Sequence, residues 1–336
     1  QIMNALKRNR IIEFGGIEPN PKFETLMRAV EKARGEGIDF LLAAGGGSVI
    51  DGSKFIAAAI PFEPGKEWDI VARKAEIEDA VPLGCVLTLP ATGSEMNSTA
   101  VISREETSEK LAFSSPLAYP RFSILDPETT YTLPEQQTVN GIVDTFIHIT
   151  EQYLTFPAGA VLQDRQAEAL LLALIDQGPK ALTDPNNYHV RANLMWIATQ
   201  ALNGLIGCGV PGDWATHQIG HELTAVYGLD HARTLAIVLP SLLRHQKERK
   251  AEKLALFAER VWGVSEGGRE ARIEAGIKRT EDFFHSFGVP TRLSDYQIGD
   301  DAPEKIAERI RKRRVKLGEH KEIGPKETGE ILRMAR

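Results

Sequence analysis

Cysteine is scarce in this 336-residue chain: Cys85 and Cys208 are the only two. They are isolated from one another and sit in apolar stretches. That excludes a disulfide framework, and a structural zinc site, which uses mostly cysteine. Basic charge is also in deficit, with 40 Lys plus Arg against 46 Asp plus Glu and a net charge of −6. No cation surplus exists to neutralise a phosphate backbone, so no nucleic-acid partner is expected. No apolar run reaches about 18 residues, so no membrane span is predicted. No signal peptide is visible, and a cytoplasmic location is expected. The one strong basic run, Arg309 to Lys316, reads as a solvated helix face rather than a docking patch. The first residue is Gln1, in what reads as the middle of a helix, so a preceding segment is expected.

What is present is ordinary for a globular protein with a sizeable core: 42% hydrophobic and 26% charged residues. The length suits one large or two ordinary domains. Ile11 to Gly15 reads as a short strand. Pro21 to Gly37 reads as an amphipathic helix, its apolar Phe23, Leu26, Met27, Val30 and Ala33 three or four apart, with Asn20 as N-cap and Pro21 in the first position. Ile38 to Ala44 is a continuous apolar run, which predicts a buried parallel strand. It leads directly into Gly45-Gly46-Gly47-Ser48 and then a helix over 49–60. A strand, a glycine turn and a helix N-terminus together can cradle a pyrophosphate, because bare N–H groups and the helix dipole face the anion.

A second buried strand, Leu83 to Leu89, ends in the hydroxyl-rich Thr88 to Glu95. Ligands bind open α/β sheets at such strand ends. Val101 to Arg104, Leu111 to Ser114 and Phe122 to Leu125 read as further strands. Beyond Leu133 helical periodicity takes over. The expected division is therefore 1–132, an α/β unit with a parallel sheet, and 133–336, an all-helical unit.

The helical part holds the chemistry. His217 to His231 reads HQIGHELTAVYGLDH, with three of the chain's eight histidines in fifteen residues. His217 and His221 are four apart and share a helix face; His231 follows a Tyr-Gly-Leu-Asp turn. Asp144 and His148 are likewise four apart, amid Ile142, Val143, Phe146 and Ile147. A buried carboxylate beside a histidine is costly unless it is paired or metal-bound. Asp144, His148, His217 and His231 are accordingly the candidate metal ligands. One oxygen and three imidazoles suit Zn²⁺ or Fe²⁺ and leave a position for substrate.

These residues resemble the iron-containing, or group III, alcohol dehydrogenases. The matches are Gly45-Gly46-Gly47-Ser48 with Asp51 and Lys54, Thr88 with Ala91 to Glu95, Asp144 with His148, and His217, His221 and His231, all in order. Glu222 and Ala232 stand where much of the family has proline and glycine, as in the branch of butanol dehydrogenases and broad aldehyde reductases. The resemblance implies a Rossmann-like NAD(P)-binding domain, a helical domain of the dehydroquinate synthase type, and a site in the cleft between them. It implies that Gly45, Gly46, Gly47 and Ser48 hold the pyrophosphate. Thr88, Thr92 and Ser94 would line the cofactor channel, Lys110 would contact a ribose, and Asp51 would orient near the reacting centre. The four metal ligands would be those above, with His221 near the nicotinamide and substrate. A homodimer is also implied. Family members carry a further opening segment whose glycine-serine loop separates NAD from NADP. It lies outside this sequence, so preference is not read, although the branch usually favours NADPH.

The expected reaction is reduction of short-chain aldehydes to butanol-like primary alcohols, with proton relay through His221 and Asp51 as an alternative participant. Two rivals are a sugar-phosphate cyclase of the same fold and a non-catalytic metal-binding remnant. The former needs several bases converging on a phosphate, and the stretches around Asp144 and His217 are poor in base.

Overall fold

A computed structural model describes residues 1–336. The short helix α1 (Ile2–Ala5) leads to an extended segment and then to α2 (Phe23–Glu36), β1 (Leu41–Gly46), α3 (Gly47–Ala59), the single turn α4 (Trp68–Val71) and β2 (Leu83–Leu89). A hairpin, β3 (Thr99–Arg104) and β4 (Glu109–Ser114), and the short β5 (Ser123–Leu125) complete the strands. All later elements are helical: α5 (Glu135–Tyr153), α6 (Val161–Thr183), α7 (Tyr188–Leu202), α8 (Ala215–Tyr227), α9 (His231–His245), α10 (Ala251–Arg260), α11 (Arg269–Ser286), α12 (Ala302–Arg313) and α13 (Pro325–Met334). No helix is long and apolar enough to cross a membrane.

The sheet has the order β1-β2-β5 and is parallel throughout, with Leu41 opposite Leu83 and Cys85 opposite Ser123. Parallel strands need both faces covered, and the continuous apolar runs of β1 and β2 supply the apolar side chains for this. The hairpin is a separate antiparallel pair, Ala100 facing Phe113. Leu26, Val30, Phe55, Ile56, Ala100 and Phe113 pack α2, α3 and the hairpin into one core. A second, larger core lies among the helices, where α5 is buried along nearly its whole length. Parallel sheet first and helices after is the architecture expected.

Three local expectations are corrected. Ile11 to Gly15 forms no strand, because no neighbouring strand accepts its backbone bonds. Asn20 does not cap α2, which begins at Phe23 with Lys22 before it. Asn20 instead sits at φ +56°, its N–H donating to Ser48 Oγ and its Oδ1 accepting from Lys110. Arg309 and Arg313 are not simply solvated: both pair with the buried Glu222. Their run is amphipathic, and its polar edge meets another element. The two cysteines are unbridged, though Cys208 proves exposed.

Candidate active site

The site begins with two helices that meet at their polar faces. In α5, Asp144, His148 and Glu151 lie at positions i, i+4 and i+7, one stripe of a largely buried helix. In α8, His217 and His221 are one turn apart. Asp213 Oδ1 accepts from Ala215 N at the start of α8. At its other end Gly228 adopts φ +69°, a left-handed stop that side-chain-bearing residues rarely take, so the chain turns and α9 begins at His231. His231 is thereby returned to the faces of His217 and His221, with ring centroids 5.2 and 5.0 Å away.

Three imidazole Nε2 atoms converge on Asp144 Oδ1, from His148 at 3.6 Å, His217 at 3.7 Å and His231 at 3.8 Å. These gaps are too long for hydrogen bonds. They approach the roughly 3.4 Å separating donors bound about 2.1 Å from one tetrahedral ion. Asp144, His217 and His231 form the tightest trio, their donor atoms all within 4.8 Å of one another. Asp144 Oδ1 and His217 Nε2 are buried and have no hydrogen-bond partner. An unmade bond at a buried polar atom costs about 1–3 kcal/mol. Two such atoms facing each other fit a divalent cation, and the donor set of three imidazoles and one carboxylate suits it.

Glu151 completes this cluster. Its Oε2 bonds His217 Nδ1 and its Oε1 accepts from Thr216 N at 2.7 Å. The bond to Nδ1 leaves Nε2 as the free nitrogen facing Asp144. Burial would lower the His217 pKa, but the Glu151 carboxylate, with Asp144, outweighs it and pushes the ring up to about 9. His148 goes the other way: burial pulls it down to about 4 against the pull of Asp144. Burial also holds His221 and His231 well below the ordinary histidine value, with the Lys110 charge adding to the effect. Both rings are therefore neutral at pH 7. Asp144 is lowered, because His148 and His217 together outweigh the burial that would raise it. Glu151 was missed in sequence reading, although its place seven residues after Asp144 was a usable signal.

The cluster opens into a cleft of about 1280 Å³ whose opposite wall is the glycine turn. Gly46, Gly47 and Ser48 line it, with Ser48 in the first turn of α3. A Cβ on Gly47 would lie 2.3 Å from Thr92 Oγ1, so only glycine lets the two loops approach. Asp51, Thr92, Ser94 and Lys110 line the cleft. Gly45 and Thr88 do not: their neighbours Gly46 and Leu89 do, since successive strand residues face opposite ways.

Both oxygens of Asp51 are engaged, Oδ1 by Ser94 Oγ at 2.6 Å and Oδ2 by Val101 N at 2.9 Å. Burial raises its pKa, and the carboxylate serves to tie the 92–99 loop to β3. Beside it the wholly buried Lys54 donates to Asn97 O, Asn97 Oδ1 and Thr99 O at 2.8–2.9 Å, holding the same loop. Lys110 reaches in from β4 to Asn20 Oδ1 at 2.8 Å, and burial lowers its pKa to about 8 against the pull of Asp144 and Asp51.

Comparison with known proteins identifies the family of the chain. The profile described as iron-containing alcohol dehydrogenase matches residues 1–127, and that of the C-terminal part of the same family matches residues 138–336. The chain is 55% identical over 326 residues to the NADPH-dependent aldehyde reductase YqhD of Escherichia coli (strain K12), spanning 96% of this chain and 84% of that protein. It is 45% identical over 300 residues to a probable NADH-dependent butanol dehydrogenase 1 of Bacillus subtilis (strain 168), spanning 88% and 77%. Among solved structures, that of E. coli K-12 YqhD superposes with a TM-score of 0.98 at 53% identity, covering 100% of this chain and 87% of the other.

Proposed function

This chain belongs to the iron-containing alcohol dehydrogenase family, and from that premise we propose that it reduces short-chain aldehydes to primary alcohols with NADPH, and runs the reverse oxidation. It is an alcohol and aldehyde oxidoreductase. The observation that carries the finer reading is the convergence of three imidazole nitrogens on Asp144 Oδ1, in a cleft that also opens onto Gly46 to Ser48.

In this reading Asp144, His148, His217 and His231 hold Fe²⁺ or Zn²⁺, and Glu151 fixes the His217 tautomer. When bound, the ion supplies Lewis-acid polarisation of the carbonyl and the nicotinamide supplies the hydride. The α3 N-terminus and the N–H groups of Gly46 to Ser48 bind the pyrophosphate. Asp51, through Ser94, holds the loop that shapes the cofactor channel, and Lys110 meets a ribose. His221 is neutral, so it passes a proton from solvent to the substrate oxygen rather than storing one.

Two further parts belong to this reading. The unit boundary is placed between 132 and 133, supported by the last strand ending at Leu125 and the run of consecutive helices starting at Glu135. A homodimer is proposed, supported by the exposed Val161 and Leu162 beside the 205–208 loop, where Gln163 donates to the Cys208 carbonyl.

The test is oxidation of NADPH and of NADH with butanal, after reconstitution with Fe²⁺ or Zn²⁺ in parallel. Metal-dependent turnover, faster with NADPH, is expected. Absence of turnover with any metal, while metal binds tightly, would overturn the reading.

A further inference from the structure

Five lysine and arginine side chains are almost wholly buried: Lys54, Lys110, Arg191, Lys250 and Lys253. Four of them have carboxylates close by. Lys250 contacts Asp213 and Glu319, and Lys253 contacts Asp164. Lys54 feels Asp51 and Glu95, and Lys110 feels Asp144 and Asp51. Arg191, only 4% exposed, has none. Burial lowers its pKa, and only the Tyr131 phenol opposes this. A buried charge without a counter-charge is costly, and a guanidinium does not shed its proton to escape that cost.

The hydrogen bonds of Arg191 are incomplete as well. From near the start of α7 its Nε donates to Pro185 O at 2.8 Å, and its Nη1 donates to Thr138 Oγ1 on α5 at 2.9 Å. Two of the five N–H groups are thereby used, and the other three have no acceptor in the protein. Arg191 lines a cavity of about 20 Å³ together with Thr138, Thr145, Leu174 and Leu194. A single small guest needs about 10–15 Å³ of such space, so one fits and a phosphate does not. No acidic side chain lines this cavity. Thr145 is 1% exposed, and its hydroxyl has no partner in the protein. Thr138 accepts from Arg191 and keeps its own proton to donate. The cavity thus offers one cation and two hydroxyl donors, with no negative charge to balance them.

This place is separate from the active cleft. Arg191, Thr138 and Thr145 do not line the cleft, although Gln137 and Gly141 of α5 line both spaces. We propose that Arg191, Thr138 and Thr145 form a binding site for one monatomic anion, chloride or another halide. A water molecule would accept from the N–H groups but leave the charge uncompensated. A halide does both, and it ties α5 to α7 behind the face of α5 that carries Asp144 and His148. The proposal is independent of the reaction assigned above.

Crystals of the full chain grown in bromide, with data collected at the bromine edge, test for the ion directly. An anomalous peak within hydrogen-bond reach of the Arg191 guanidinium is expected. Water alone in the cavity overturns the proposal, and so do peaks confined to exposed cations, which would mean an adventitious ion only. In solution, Tm is followed as chloride or bromide replaces gluconate, which is too large for the cavity, at constant ionic strength. A rise of about 2 °C is expected once the halide reaches about ten times its dissociation constant. Arg191→Gln removes the charge and should lose the rise. Thr145→Val keeps the charge and the shape of the cavity and removes one donor, so the halide concentration at half-effect should increase about tenfold. It decides the matter even if Arg191→Gln fails to fold. No rise in the parent protein, or an unchanged half-effect concentration in Thr145→Val, overturns the proposal.

Discussion

Glu151 Oε2 and His217 Nδ1 are bonded to one another, and this bond decides which nitrogen of the His217 ring faces Asp144. The carboxylate sits two turns along α5 from Asp144, so in the proposed site one helix would supply an oxygen for the ion and the group that orients a second ligand on α8. Removing such an orienting carboxylate typically costs 10- to 100-fold in metal affinity or activity. Glu151→Gln is expected to weaken metal binding by about that factor, read by titration against a chelator of known affinity. Asp144→Ala should abolish binding outright. Unchanged affinity in Glu151→Gln would show that His217 needs no such partner.

His221 stands beside the proposed ligands, its ring 5.0 Å from that of His231. His221→Ala should keep its metal and lose turnover by about 10²-fold, as positioned proton-transfer groups typically contribute 10²–10⁴. Metal content and kcat measured on the same preparation check this. Full turnover with full metal would remove His221 from the proton path.

Gly47 and Thr92 approach so closely that a methyl group between them has no room. Gly47→Ala is expected to push the two loops apart and raise KM for NADPH at least severalfold, with metal affinity intact. A variant whose cofactor KM is unchanged would show that the cradle lies elsewhere along 45–48.

A buried triad ties the loop before α8 to the C-terminal region: Lys250 Nζ contacts Asp213 Oδ2 at 2.6 Å and Glu319 Oε2 at 2.7 Å. Burial first, then the neighbouring Asp213, raises the Glu319 carboxyl to about 7. Its folded pKa thus exceeds its unfolded value, so the stability it contributes is present at low pH and is lost as pH rises through about 7. Above that point two carboxylates share one lysine. Thermal unfolding followed from pH 4 to 8.5 should show Tm falling between the ordinary carboxyl value of 4.5 and about 7 and levelling off above it, with a smaller fall in Glu319→Gln, which carries no titrating proton. An identical pH slope in both proteins would contradict the assignment.

Much of the site was legible in sequence because helix geometry is local. Asp144 with His148, and His217 with His221, are on one face by their spacing alone, and the turn at Gly228 announced that His231 would come back. The glycine turn was legible for a similar reason: a continuous apolar strand that runs straight into a helix leaves a tight turn between them, and that turn lines the cleft. The expected strand over 11–15 failed because a strand exists only if another strand accepts its bonds, and composition cannot show that none does.

What the chain order could not show is which distant charges meet. Asn20 looked like a cap, and only packing brings it to Lys110, ninety residues away. Arg309 and Arg313 looked solvated, and only the docking of α12 on α8 brings them to Glu222. The local pattern of apolar and polar residues determined the parallel-sheet-then-helix architecture and which side chains share a helix face, since hydrophobic periodicity and turn chemistry act over a few residues. The tertiary structure alone decided the electrostatics of the cleft, since a charge acts through space on whatever the fold places beside it, and no periodicity records that neighbour.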